Sequence, residues 1–257
     1  MERFLEKKYF FNSPVTLQAV YLKGKQDVYM TPKLDGKRYL VYIHPSGSYR
    51  INTLMEKESI NLNTTTMKCV LDCEFYKNTY YIFDILYFNG KEYRYSSFST
   101  RLDLLKTIFP LLLPKKSFKL KEFKKASTKK QVCGYINSLT FKLGGLDGII
   151  INGPGNYYSK VFKYKPPELL SIDFKIKKSP PTTFILYVDT PKEKTEFAQT
   201  QVTPYEYRKY INDTVVEFGY LNNKFVPFRA RPDKKFSNGL TTVKSNYKEI
   251  TNPSFTC

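Results

Sequence analysis

Met30-Thr31-Pro32-Lys33-Leu34-Asp35-Gly36-Lys37-Arg38-Tyr39-Leu40-Val41 sets a dense group of charges between two runs of strand character. Pro32 has no N–H to give a ladder and predicts a strand end. Gly36 predicts a turn that other residues resist. A lysine on such a turn, followed by Asp35 and Arg38, reads either as a nucleophile beside an anion or as a polar strand-end turn.

Working outward, residues 27–31 read as a strand leading into Lys33. Residues 39–43 and 49–54 read as a hairpin around Pro45-Ser46-Gly47-Ser48. Residues 67–76 form a further strand. Residues 80–88 form another, nearly continuously apolar as a strand covered on both faces would be, and Asp84 in its middle stands out. Helical spacing over 99–109 puts Leu102, Leu105 and Ile108 on one face, with Ser99 or Thr100 as cap. Ser127 or Thr128 caps a second helix running to about Leu139. Strands are expected over 117–123, 146–151, 161–165 and 169–176, and alternation places Lys163 and Lys165 on one face. Gly153-Pro154-Gly155-Asn156 marks a turn. Residues 177–181 read as a linker. The remainder is all-β over 183–188, 215–220 and 225–231, the last two joined at Asn222-Asn223, with a closing helix over 240–250. Residues 1–12 suggest a short helix, and residues 193–210 read as either loop or helix.

The chain has 257 residues, of which 41% are apolar, enough for one large or two modest globular domains. Its longest apolar runs are too short to span a bilayer, and its start lacks the apolar core of a signal peptide. A soluble, intracellular protein is expected, in the cytoplasm or nucleus of a host cell if viral, with no membrane partner. The formal net charge of +19 favours a polyanionic partner, nucleic acid or a nucleotide polyphosphate, over a charge that serves solubility alone. Cys69, Cys73, Cys133 and Cys257 form no C-x-x-C pair, so neither a zinc site nor a disulfide framework is expected. The single histidine, His44, falls in the hairpin loop and is expected to face solvent. Histidine-dependent hydrolysis would rest on that residue alone, which leaves lysine, arginine and carboxylates to carry the chemistry.

Several charges fall in or at the ends of apolar strands: Lys33, Asp35, Glu74, Asp84, Asp147, Lys163, Lys165 and Asp173. Each alone is compatible with a strand residue facing water. Buried charges are costly unless paired or used, so together they point to a shared cleft. The strongest nucleophile in such a site is a lysine. Its amine attacks only when neutral, a form that burial and the cations Lys163, Lys165 and Arg38 favour. Surrounding cations stabilise phosphate oxygens and favour phosphorus over carbonyl carbon. Glu74 and Asp147 are candidate ligands for a divalent metal. The composition points to nucleotidyl transfer through a lysine–phosphorus bond.

These residues resemble the motifs of the covalent nucleotidyltransferase superfamily, the mRNA capping guanylyltransferases and polynucleotide ligases. Lys33-Leu34-Asp35-Gly36-Lys37-Arg38 is similar to K-x-D-G-x-R. Leu71-Asp72-Cys73-Glu74 resembles its D-G-E strand, with Cys73 in place of glycine. Tyr81-Ile82-Phe83-Asp84-Ile85-Leu86 resembles the strand whose aromatic packs on the base. Asp147-Gly148-Ile149-Ile150 and Lys163-Tyr164-Lys165 resemble the D-G-hydrophobic and paired-lysine motifs. Lys163-Tyr164-Lys165-Pro166-Pro167, then Ser171-Ile172-Asp173-Phe174, and later Arg229-Ala230-Arg231-Pro232-Asp233-Lys234, resemble the guanylyltransferase branch. The likeness runs from about Met30 to Asn238. It implies a minimal viral-type enzyme or a domain cut from a larger one.

The resemblance implies an α+β fold: a nucleotidyltransferase domain over 1–174 (ATP-grasp-like, mixed antiparallel sheets with helices), then a β OB-fold domain with a C-terminal helix over 175–257. It implies an mRNA guanylyltransferase that moves GMP from GTP through a lysyl-GMP intermediate to the 5′-diphosphate end of RNA. The alternative is an ATP-dependent RNA or DNA ligase using lysyl-AMP. Lys33 would be the nucleophile. Arg38 would contact ribose or the terminal RNA phosphate, and Glu74 would bind ribose or metal. Phe83 would stack on guanine, and Asp147 would help to hold Mg2+ or Mn2+. Lys163 and Lys165 would bind the α-phosphate with support from Asp173. Arg231, Asp233 and Lys234 would orient the leaving pyrophosphate. Arg50 is matched to a further family arginine. Lys142 reads either as a guanine-edge contact or as a solvated helix-end lysine. The partners implied are an RNA triphosphatase, a cap methyltransferase or RNA polymerase subunits, with the linker at 177–181 letting the second domain swing.

Overall fold

The computed structural model describes residues 11–17, 27–62, 66–112, 117–139, 146–190, 193–253, 255 and 257. The chain falls into two units, Met1–Tyr164 with Cys257, and Lys165–Thr256.

In the first unit the strands are β1 (Val15–Thr16), β2 (Val28–Leu34), β3 (Lys37–Ile43), β4 (Ser48–Asn52), β5 (Lys57–Ile60), β6 (Cys69–Tyr76), β7 (Thr79–Phe88), β8 (Lys91–Glu92), β9 (Phe118–Leu120), β10 (Lys124–Ala126), β11 (Leu146–Asn152) and β12 (Val161–Tyr164). Two helices accompany them, α1 (Phe98–Leu112) and α2 (Lys129–Ser138). They build two sheets. One has the order β5-β4-β3-β6-β7-β8 with β9 added parallel to β7, and the other the order β1-β12-β11-β2-β10.

The period of two along β3 and β6 sorts their side chains. Val41, Ile43, Cys69, Leu71 and Cys73 turn to one face of the larger sheet and pack with Leu105 and Ile108 of α1 and Phe118 of β9. Burying each such aliphatic side chain stabilises the fold by about 1.5–3 kcal/mol. Leu40, Tyr42 and Val70 take the opposite face with Leu86 and Tyr157. The expected apolar stripe of α1 is present, since Leu102, Leu105 and Ile108 are all buried. His44 lies at the end of β3, partly exposed, with its Nδ1 hydrogen-bonded to Ser46 Oγ at 2.5 Å.

The second unit holds β13 (Ile172–Ser179), β14 (Thr183–Asp189), β15 (Lys194–Gln201), α3 (Pro204–Lys209), β16 (Val215–Leu221), β17 (Lys224–Ala230) and α4 (Leu240–Thr251). Its sheet has the order β15-β14-β13-β16-β17. The sheet curls until its edge strands meet, with Thr200 Oγ1 of β15 donating to the Phe225 carbonyl of β17 at 2.6 Å. Phe174, Phe184, Phe218, Phe225 and Val243 of α4 fill the inside, as an OB-fold with a C-terminal helix requires. Asn222 and Asn223, at φ +50° and +60°, make the tight β16–β17 turn that their sequence signalled.

Four expectations differ from this structure. Strand β2 runs through Pro32, which pairs with Ile149, as far as Leu34, so Lys33 lies in a strand and not on a turn. Residues 177–179 continue β13, and 180–182 are the hairpin turn into β14. Ladder bonds therefore run through the proposed linker, and the division falls between Tyr164 and Lys165 rather than after Phe174. Residues 193–210, open between loop and helix, contain strand β15 and then α3, started by a capping box between Thr203 and Glu206. A disulfide joins Cys133 to Cys257, with Cα atoms 5.1 Å apart across a sequence separation of 124, which no local spacing reveals. Cys69 and Cys73 are free, buried thiols. Among the described residues no helix is long and apolar enough to cross a membrane.

Candidate active site

The first unit's two sheets both contribute side chains to a cavity of about 140 Å3. Thr31 and Lys33 of β2 share one face because they are two residues apart. Ile150 of β11 pairs with Thr31 and with Lys163 of β12, so a row from β2 to β12 places Lys163 on the face that lines the cavity. From the larger sheet come Arg38, Glu74, Phe83 and Asp84.

Lys33 and Asp147 form an ion pair, each side chain about one-fifth exposed. Beside them Lys121, which follows β9, is 7% exposed. Its Nζ donates to Glu74 Oε2 at 2.6 Å and to the Pro32 carbonyl at 3.2 Å. Burial pushes the Lys121 ammonium down from its ordinary pKa, and the Glu74 carboxylate opposes that shift. The Glu74 carboxylate also accepts from the Gly36 N–H at 3.3 Å, which ties the β2–β3 turn to β6.

Arg38 is gripped by a buried carboxylate. Its Nε and Nη2 donate to the two oxygens of Asp72 at 2.9 and 2.6 Å, and its Nη1 donates to the Asn12 carbonyl at 2.6 Å. Tyr157 Oη donates to the same carboxylate at 2.7 Å. Burial works against the charge of Arg38, but Asp72 outweighs it and the guanidinium pKa is raised.

A bulge interrupts the β6–β7 ladder between Asp72 and Cys73, so Phe83 has no partner across the strand. Phe83 and Asp84 therefore turn to the same side, and both line the cavity. The Phe83 ring has the cations of Arg38 and Lys121 at 5.3 and 5.6 Å from its centre. Asp84, the acid that stood out in an apolar strand, takes a fork of hydrogen bonds from Arg101 Nε and Nη2 at 2.7 and 3.0 Å. Burial raises the Asp84 pKa, and Arg101 opposes the rise.

No protein-family model matches the chain. The chain is 33% identical over 120 residues to an mRNA-capping enzyme of Mus musculus, a match spanning 42% of this chain and 19% of that one. It is 26% identical over 277 residues to an mRNA-capping enzyme of Caenorhabditis elegans, spanning 89% of this chain and 44% of that one. The chain thus spans less than half the length of these relatives. Among solved structures, a mycobacterial DNA ligase D complexed with ATP and MES superposes with a TM-score of 0.52 at 14% identity, covering 88% of this chain and 94% of that one. That likeness is one of fold. Together the likeness in sequence to mRNA-capping enzymes and the likeness in fold to a DNA ligase support the resemblance to the covalent nucleotidyltransferase superfamily.

The departure of Cys73 from the D-G-E pattern has a simple basis. Cys73 is fully buried on the α1 side of β6, while Asp72 and Glu74 take the other side, where Glu74 lines the cavity and Asp72 holds Arg38, so the difference falls in the core and not in the site.

The cavity gathers Lys33, Arg38, Glu74 and Phe83, with Asp147 on Lys33 and Lys163 on the same sheet face. Other expected residues lie elsewhere. Arg50 pairs with Val41 and so turns to the opposite face of the larger sheet. There it donates to Glu58 and Tyr80 and lies 4.6 Å from the centre of the Tyr39 ring. Lys142 lies outside the described residues. Lys165 opens the second unit. Asp173 is buried in the second unit, where it accepts from Arg231 Nη1 at 3.1 and 3.3 Å and pairs with Lys234. Arg231 also forks onto Asp233 at 3.0 and 2.8 Å. Asp173 thus holds these two cations in its own unit.

Sequence reasoning missed Asp72, Lys121, Thr31 and Tyr157. Asp72 stood in the quoted Leu71-Asp72-Cys73-Glu74, where alternation with Glu74 was the available signal. Lys121 sits among neighbouring lysines, and nothing local distinguishes it. Thr31 Oγ1 is buried, lines the cavity and has no hydrogen-bond partner among the described residues.

Glu74 and Asp147, expected to hold a divalent ion, each carry a lysine partner. Among the described residues no group of three His, Cys, Asp or Glu gathers. Mg2+ is commonly held by one or two carboxylates with phosphate oxygens and water completing its shell. These donors fit an Mg2+ or Mn2+ ion that binds together with a nucleotide.

Proposed function

We propose that this chain transfers GMP from GTP, through a lysyl-GMP intermediate on Lys33, to the 5′-diphosphate end of RNA. The observation that carries this reading is the Lys33–Asp147 pair at a cavity lined by Glu74, Lys121 and Phe83. The names of the relatives, mRNA-capping enzymes, support the same reading.

In the first step Lys33 Nζ attacks the α-phosphorus of GTP. A P–N bond forms, the P–O bond to pyrophosphate breaks, and Asp147 is the nearest acceptor for the proton that leaves Nζ. In the second step a terminal phosphate oxygen of the RNA attacks the same phosphorus. A P–O bond forms, the P–N bond breaks, and Nζ regains its proton. The product is a 5′–5′ triphosphate. A divalent ion bound by Asp147 or Glu74 and the phosphates would neutralise charge on the transferring group. Arg231 and Lys234 would serve a leaving pyrophosphate with the N–H donors not taken by Asp173 and Asp233.

Lys121 would favour guanine over adenine where it meets the O6 edge of the base. An ammonium offers only donors. Guanine presents O6 and N7 as acceptors, whereas adenine places an amino group where guanine has O6. The Thr31 hydroxyl, in the same cavity and without a partner among the described residues, can donate or accept.

The test is incubation with α-labelled GTP or α-labelled ATP and Mg2+ or Mn2+. Label from GTP that is lost in Lys33→Ala, with the variant's melting curve unchanged, is the expected result. Label from ATP alone would move the chain to the ligase reading, which the likeness of fold to a DNA ligase accommodates.

A further inference from the structure

Tyr95 and Tyr158 are 65% and 42% exposed, and their ring centres lie 5.9 Å apart. Single exposed aromatics are ordinary on a protein surface. This pair is distinguished by its setting. Tyr158 stands between Tyr157 and Ser159, both of which line the cavity, while Tyr158 itself does not. The two segments that carry the rings are joined by backbone hydrogen bonds, Tyr157 N–H to the Arg94 carbonyl at 2.9 Å and Phe98 N–H to the Pro154 carbonyl at 3.1 Å. Tyr157 packs edge-on against Tyr158 at 5.6 Å, and its hydroxyl holds the carboxylate that grips Arg38. The pair therefore sits on a rigid rim.

Charge marks the same rim. The Arg94 guanidinium, itself buried and paired with Glu92, lies 5.9 Å from the centre of the Tyr158 ring. Lys160 lines the cavity and is exposed at its mouth. The rings are tilted by 47° rather than stacked, which leaves face area for other planar groups. Exposed aromatic faces beside cations are how proteins hold single-stranded nucleic acid without reading its sequence. With a net charge of +19, the occupant that fits is a polyanion with flat bases. We propose that Tyr95 and Tyr158 form a stacking platform for the leading bases of the acceptor RNA, a role that rests on the RNA-acceptor reading given above.

The test separates the two. Short RNAs bearing a 5′-diphosphate and 2-aminopurine at their first or second position are titrated against wild type, Tyr95→Ala, Tyr158→Ala, the double variant and the Tyr→Phe controls. Stacking quenches 2-aminopurine, so wild type and the Phe controls should quench it. The double variant should require about a hundredfold more RNA, roughly tenfold per ring, within the range known for stacked bases. Labelling of Lys33 by GTP should be unchanged in the Ala variants, and GMP transfer from the labelled enzyme should show the same rise in half-saturating RNA. Quenching and transfer that are equal in wild type and the double variant would overturn the platform and leave a protein partner as the occupant. If wild type takes no label from GTP, the proposed function fails, while the quenching titration still decides the platform.

Discussion

The Lys121 ammonium stands 2.6 Å from Glu74 Oε2, with the two side chains only 6% and 15% exposed. Removing one partner of such a pair strands the other charge away from water, at about 3–5 kcal/mol. Lys121→Met alone should therefore lower stability by about that amount. Adding Glu74→Gln should recover most of it, while labelling of Lys33 stays low in the double variant. Chemical denaturation and the labelling assay read the two effects separately. Failure of the second substitution to restore stability would show that the pair is not what Lys121→Met breaks.

Gly36 is held by proximity rather than by backbone angle. A Cβ there would lie 2.7 Å from Glu74 Cγ and 2.8 Å from the Phe75 carbonyl oxygen. Backbone cannot swing aside as a flexible side-chain end can, so Gly36→Ala should push the β2–β3 turn off β6. We expect a loss of about 1–3 kcal/mol, the range for overpacking, and weaker labelling of Lys33. A melting curve and labelling equal to wild type would contradict this.

Cys73→Gly restores the residue usual in the family motif. Because Cys73 faces the α1 side of β6, the change should remove core packing and loosen the strand, costing about 1 kcal/mol or more. Labelling of Lys33 should survive at temperatures where the variant is folded. Activity lost in step with a melting midpoint that does not move would place Cys73 in the site instead.

Asp233 carries a pH signature. The hydrogen bonds from Arg231 depress its carboxyl from 3.8 to about 2 in the folded chain. The unfolded chain therefore takes up this proton first as pH falls. The contribution to stability is complete above about pH 4 and is lost as pH drops towards 2. Thermal melts across that window should fall less steeply for Asp233→Asn than for wild type. Asp233 is well exposed, so the difference will be modest and will shrink with added salt.

Much of the first unit was legible because its signals are local. A hairpin signal marked β3 and β4, a nearly continuous apolar run marked β7, a helical stripe marked α1, and charges in or at the ends of apolar strands marked Lys33, Glu74 and Asp147. Asp84 shows the limit of that logic. It was read as one charge of a shared cleft; it lines the cavity, and its carboxylate is held by Arg101, on a helix that begins after two further turns of the chain. The supposed linker failed for a related reason. Lys177, Lys178 and Ser179 look solvated, yet their backbone is paired to β14, and two prolines at a hairpin resemble two prolines in a tether. Asp173 was expected to support Lys163 and Lys165, but it meets Arg231 and Lys234 because β13 lies in the second unit's sheet.

The sequence by itself determined which groups could carry covalent chemistry. One histidine and no paired cysteine motif left a lysine, and alternation set Lys163 and Lys165 on one strand face. Tertiary structure alone decided which charges meet. It brought Asp147 to Lys33 across 114 residues and Glu74 to Lys121 across 47, and it turned Arg50 to the far face of its sheet. Alternation is a property of a single strand, whereas an ion pair between strands depends on register, and register is fixed only when both sheets bury their faces.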